Sequence, residues 1–130
     1  MATTPAFAAT VNNGSAIASA TLDTSLTAPT NVATVLTAGA SGSKIEEVVV
    51  QGLGTTVAGM CNLFLYDGAT YHLLDQFTIA AVTSSTTAPA FRTYRTYSNL
   101  VLKTGWSLRF TVTVAGLQSL LKMSAFGGDM

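Results

Sequence analysis

The sequence predicts an all-β fold, an antiparallel β-sandwich of jelly-roll type with about eight strands, and three observations carry that prediction. Residues favoured in strands dominate from Gly14 onward, and no window of 11 residues shows a sustained apolar stripe at helical spacing with caps. Few Lys, Glu or Gln are available to clothe the outer face of a helix. Short apolar or alternating runs recur at fairly regular spacing with turn residues between them, which points to a sandwich or jelly roll, with a closed barrel second.

The elements follow in order. Residues 1–13 form an uncharged arm whose only aromatic is Phe7, and Val11-Asn12-Asn13-Gly14 looks like a break after it, so the domain spans residues 14–130. Ser15 to Leu22 is a first strand, Ala28-Pro29-Thr30-Asn31 a turn, and Val32 to Thr37 a second strand closed by Ala38-Gly39-Ala40-Ser41-Gly42. Lys44 to Gly52 is a third. Ile45 and Val48 cannot share a face under strict alternation, so a bulge is expected at Glu46-Glu47.

Met60 to Tyr66 and Tyr71 to Ile79 flank Asp67-Gly68, whose glycine supplies the positive φ of a short hairpin loop. Phe91 to Tyr97 follows a Thr- and Ser-rich loop that ends at Pro89. Leu100 to Leu102 and Trp106 to Val114 make a second hairpin around Lys103-Thr104-Gly105. In the Trp106 strand, Trp106, Leu108, Phe110, Val112 and Val114 alternate with Ser107, Arg109, Thr111 and Thr113, so one face is core and the other meets water or a partner. Gln118 to Phe126 is the last strand.

Composition narrows the function. The 130 residues contain six Lys plus Arg against six Asp plus Glu, so the charge attraction that drives nucleic-acid binding is missing. Charged residues are 9% of the chain against about 25% in an ordinary domain, the mark of a surface suited to being covered by protein. No apolar run approaches the roughly 18 residues of a membrane span. Met1 to Thr10 has no Lys or Arg and does not read as a secretory signal, and a single Cys61 makes no internal disulfide.

Reactive chemistry is not expected. A serine nucleophile needs a base, and the only histidine, His72, lies three residues from Asp75, on the opposite face of a regular strand. Glu46 and Glu47 diverge for the same reason, whereas a glycosidase pair must converge on one bond. One His and one Cys cannot complete a zinc site. Asp67 is explained by its turn rather than by calcium, and Gly52-Leu53-Gly54-Thr55-Thr56-Val57 lacks both the third glycine and the helix of a dinucleotide site. No catalytic, cofactor-binding or metal residues are therefore assigned.

Phe91 to Tyr97 interleaves Arg92 and Arg95 with Phe91, Tyr94 and Tyr97. Arg92 and Tyr94 point one way along a strand; Phe91, Arg95 and Tyr97 point the other. Such a strand could stack on single-stranded nucleic acid, which no basic cluster supports, or on a sugar ring, for which nothing marks a specific pocket; Tyr and Arg are also the residues of protein interfaces. Phe7, Arg92 and Tyr94 are the candidate contact residues.

Gly-Ser-Lys-Ile-Glu-Glu-Val at 42–48, Gly-Thr-Thr-Val-Ala-Gly-Met at 54–60, Leu-Phe-Leu-Tyr-Asp-Gly at 63–68, Asn-Leu-Val-Leu-Lys-Thr-Gly-Trp-Ser-Leu at 99–108 and the terminal Ala-Phe-Gly-Gly-Asp-Met resemble small structural proteins of tailed bacteriophages. The closest role among them is a jelly-roll capsid decoration or cement protein, as in cyanophages. The resemblance spans most of residues 40–130. It implies a non-enzymatic virion protein, made in the host cytoplasm and bound as a homotrimer to the major capsid protein on the outer surface of the head. A trimeric glycan- or receptor-binding domain of a tail fibre or tail tip is the alternative.

Overall fold

In the computed structural model, which describes residues 10–129, eight strands and no helix are found. They are β1 (Thr10–Ile17), β2 (Ala33–Thr37), β3 (Ser43–Gly52), β4 (Gly59–Tyr66), β5 (Tyr71–Ile79), β6 (Arg92–Leu102), β7 (Ser107–Val112) and β8 (Leu121–Asp129). Two four-stranded antiparallel sheets form a sandwich, sheet A in the order β1-β8-β3-β6 and sheet B in the order β2-β7-β4-β5. The pairs β1·β8, β2·β7, β3·β6 and β4·β5 nest inside one another, so the chain behaves like one long hairpin folded over on itself.

The core lies between the sheets and is built from the inward half of each alternating strand. Ile45, Val48 and Val50 of β3 with Leu121, Met123 and Ala125 of β8 meet Cys61 and Leu63 of β4 and Leu108, Phe110 and Val112 of β7. Burial pushes the Cys61 thiol up to about 12, so it packs as a small apolar group without nucleophilic character. The register of β3 shifts against both neighbours between Ile45 and Glu47, which is the bulge expected there. It turns Ile45 and Val48 to the same side.

Four strand assignments change, among them the last strand, which runs Leu121–Asp129 rather than Gln118 to Phe126, so that Gly127 to Asp129 pair with β1 and β3. The first strand is Thr10–Ile17 rather than Ser15 to Leu22, so Thr10 to Asn13 pair with β8 and belong to the sheet instead of an arm. Asn12 anchors this stretch by donating from Nδ2 to the Thr37 carbonyl (3.1 Å), Ser43 Oγ (3.1 Å) and Asp129 Oδ1 (2.9 Å). Phe7 lies outside the described residues. Next, Leu100 to Leu102 belongs to the same strand as Arg92 to Tyr97, joined through an irregular stretch in which Asn99 has φ 63°. Finally, β6 and β7 lie in different sheets and form an arch, not a hairpin, although the turn at Lys103 to Gly105 does form (Trp106 N–H to Lys103 carbonyl 3.0 Å). A turn signal marks where the chain reverses; the apolar faces decide which sheet each arm joins.

The β4–β5 hairpin forms as the Asp67-Gly68 signal predicts, with Gly68 at φ 98°. Asp67 Oδ1 accepts from the backbone N–H of Ala69 (2.9 Å) and Thr70 (2.7 Å), and Oδ2 lies 3.0 Å from His72 Nε2. The bond from His72, helped by the two amides, holds the Asp67 carboxyl down at about 2. Folding thus favours the ionised form, and this contribution is complete above about pH 4 and fades as the pH falls toward 2. A carboxyl NMR titration is expected to place the Asp67 midpoint near 2, and Asp67→Asn to remove this acid limb from the stability profile. A midpoint at the ordinary value of about 4 contradicts the hairpin clasp.

The sandwich is closed along one side by a clasp between its edge strands. Asp75 of β5 accepts from Arg95 Nη1 and, at 2.9 Å, from Tyr97 Oη, both on β6. Burial and the bond to Asp75 raise the Tyr97 hydroxyl above its ordinary range, so it stays a donor.

Candidate protein interface

The outward half of sheet A forms one open face. Arg92, Tyr94 and Thr96 of β6 alternate outward, while Arg95 and Tyr97 turn to the clasp. Register carries the face across the other strands. Tyr94 pairs with Val49, Val49 with Ser124, and Ser124 with Ser15. The next outward row toward one end is Arg92, Gln51, Lys122 and Ile17; toward the other it is Thr96, Glu47, Phe126 and Asn13. Beyond that lie Val101, Lys44, Gly128 and Val11.

Five large apolar side chains stand exposed on this one face: Val11 (74%), Ile17 (54%), Tyr94 (57%), Val101 and Phe126. Between β1 and β8 runs an open groove of about 450 Å³ lined by Asn13, Gly14, Ser15, Lys122, Ser124 and Phe126. The Arg92 guanidinium lies 5.5 Å from the centre of the Tyr94 ring. Lys44 pairs with Glu46 at 3.5 Å, while Arg92, Lys122 and Glu47 have no ion-pair partner among the described residues. Apolar surface studded with unpaired charge, on a rigid sheet, is suited to docking protein.

The outer face of sheet B is different in kind. Phe64 is fully buried there, with the Tyr71 ring edge-on at 5.9 Å, and the Arg109 guanidinium lies 4.1 Å from the centre of the Tyr66 ring. Arg109 donates to Tyr71 Oη (3.0 Å) and Ser107 Oγ (3.1 Å), which fixes it within the fold. Ser107 and Thr111, expected on a face meeting water or a partner, are buried. Thr111 Oγ1 and Nδ2 of the neighbouring Asn62 have no hydrogen-bond partner among the described residues, while Asn62 Oδ1 accepts from Gln76 Nε2 at 2.9 Å.

The positions weighed for catalysis are scattered. A bulge in β5 does bring His72 and Asp75 to one side, since Leu65 pairs with His72 and Leu63 with Asp75. Yet His72 bonds Asp67 and stacks near Trp106, with ring centres 6.3 Å apart, and Asp75 is taken by the clasp. Glu46 is engaged by Lys44 while Glu47 stays in the outward row. Thr56, beyond Gly52 and Gly54, forms a bridge to Val82 instead of opening a helix. Among the described residues no three His, Cys, Asp or Glu are placed to hold a metal ion, and no helix is long and apolar enough to cross a membrane.

The fold and this face together define an all-β sandwich with exposed apolar side chains on one outer sheet face. No protein family, curated protein or solved structure matches the chain. Sequence reasoning found Arg92 and Tyr94 as outward residues but missed Val11, Ile17, Lys122 and Phe126. Alternation in Lys122-Met123-Ser124-Ala125-Phe126 could have shown that Lys122, Ser124 and Phe126 share a face. Their place beside Tyr94 depends on pairings between strands far apart in sequence.

Proposed function

We propose that this is a non-enzymatic structural protein that docks other protein through the outer face of sheet A, and that its particular role is to decorate and cement a tailed-phage head, bound to major capsid subunits on the outer surface. The observation that carries the docking reading is that Val11, Ile17, Tyr94, Val101 and Phe126 all stand exposed on one face of sheet A. Burying such a face releases water from apolar surface, and opposite charges on the partner offset the desolvation of Glu47, Arg92 and Lys122.

Two further points support the narrower role. The nested strand pairs are the pattern expected of a jelly roll, the architecture that the resemblance to phage decoration proteins implies. The Gly42 to Val48 and Leu63 to Gly68 segments that carry that resemblance fall on β3 with its bulge and on the β4–β5 hairpin.

The test is add-back to heads that lack the protein. Wild-type chain is expected to bind such heads and raise the temperature at which they release DNA, and the Tyr94→Asp, Phe126→Asp double variant to remain folded and lose most of the binding. Full binding by the double variant overturns the docking face. Specific glycan binding by the isolated protein, with no affinity for heads, overturns the decoration role.

A further inference from the structure

The register of sheet A makes its outer face complementary to itself. Val49 sits mid-face between Ser124 and Tyr94. Two residues along β3 in one direction is Gln51, flanked by Lys122 and Arg92; two residues in the other direction is Glu47, flanked by Phe126 and Thr96. The cationic row and the anionic row therefore lie equally far from Val49, on opposite sides.

We propose that two copies of this chain pack face to face through sheet A, about a two-fold axis that passes by Val49 at right angles to the strands. This inference rests on the reading that the face docks protein: a second copy covers it in the free chain and gives way to a capsid subunit on head binding. The operation reverses strand direction while keeping β3 over β3 and β8 over β8, as an isologous contact requires. Glu47 of each copy then lies opposite Gln51 of the other, between its Lys122 and Arg92. The one carboxylate on the face without an ion-pair partner thus meets the two cations that also have none.

The apolar groups match under the same operation. Phe126 lies over the methylene stem of the other copy's Lys122 and beside its Ile17, because Lys122 and Ile17 are register partners. Tyr94 meets Tyr94 at the axis row. Aligned sheets pack about 10 Å apart and turned by about 30°, a rotation that long Lys, Arg and Glu side chains can follow. The axis row thus sets Tyr94, Val49, Ser124 and Ser15 against their own copies, with charge pairs on either side that set the register. The unit is a pair, in place of the trimer implied by the resemblance.

Charge reversal tests the operator. By sedimentation equilibrium, the full wild-type chain is expected to sediment as a species of twice the 13.4 kDa chain mass. Glu47→Lys and Lys122→Glu, each made separately at a partly exposed or exposed position, are expected to weaken pairing about 10-fold or more, since each change sets like charges against each other at both symmetry-related sites of the dimer. An equimolar mixture of the two variants recovers dimer. At one end of the mixed pair the two introduced charges, of opposite sign, face each other; at the other end native Glu47 faces native Lys122. Tyr94→Asp, which places two carboxylates near the axis, leaves monomer with an unchanged circular dichroism spectrum. A species of three chain masses, a dimer indifferent to all three variants, or a mixture that stays monomeric overturns the pairing. A monomeric wild type whose head binding is still lost in Tyr94→Asp overturns the pairing and leaves the docking reading standing; a monomer whose head binding ignores Tyr94→Asp removes both.

Discussion

Phe110→Ala is expected to lower the unfolding free energy by about 3–5 kcal/mol, a loss that few other single substitutions in the molecule should match. Phe110 is fully buried at the middle of β7, which is itself an inner strand of sheet B, paired with β2 through Ala33 and with β4 through Leu63. Its ring fills space between two sheets about 10 Å apart, each stiffened by its own backbone hydrogen bonds, so the walls cannot close over the void. A domain of this size has about 5–15 kcal/mol in total. Urea unfolding should show the midpoint falling sharply with the slope unchanged. A loss below about 1 kcal/mol would mean that the core repacks freely, contrary to a sandwich with interdigitated faces.

Gly14→Ala is expected to cost about 3 kcal/mol, for a different reason. Gly14 lies in mid-β1, opposite Ala125, and faces the neighbouring edge strand of sheet B. A β-carbon there would collide with the carbonyl oxygen of Val35, and the next nearest atoms are backbone as well, so no side-chain rotation relieves the clash. The missing side chain is what lets β2 close against β1 at the corner of the sandwich. Thermal unfolding measures the loss. Ser15→Ala, on the outward side of the same strand, is the control and should change stability by less than about 0.5 kcal/mol.

Gly14 also shows why part of the fold was not legible in the sequence. Asn-Asn-Gly reads locally as a chain break, and the glycine reads as a turn residue. Its reason lies in β2, at Val35, whose backbone passes too close for any other residue. The Asp67-Gly68 hairpin, the bulge between Ile45 and Glu47 and the inward row of β7 were legible because each depends on neighbours a few positions apart. The turn at Lys103 to Gly105 was legible as a turn and misleading as a hairpin, since the decision to cross to the other sheet is made by apolar faces rather than by the loop.

The candidate face divides in the same way. Arg92 and Tyr94 follow from alternation within one strand, but Lys122, Phe126, Glu47 and Ile17 join them only through the order β1-β8-β3-β6. Ser107 and Thr111 were read as surface by the same alternation that was correct for Leu108 and Phe110, and their burial depends on surroundings that one strand does not specify. In a chain with 9% charged residues, the outer face of sheet A leaves Val11, Ile17, Tyr94, Val101 and Phe126 exposed.

If the outer face of sheet A is covered by protein when the molecule works, hydroxyl-radical footprinting of the dilute chain against the assembled form should reveal it, since Tyr94 and Phe126 are both exposed and reactive aromatic side chains. Both should be oxidised in the dilute chain and protected on assembly, while Leu73, exposed on sheet B, is oxidised equally in the two states. Equal oxidation of Tyr94 and Phe126 in both states, with protection found at Leu73 instead, would place the working surface on the other sheet.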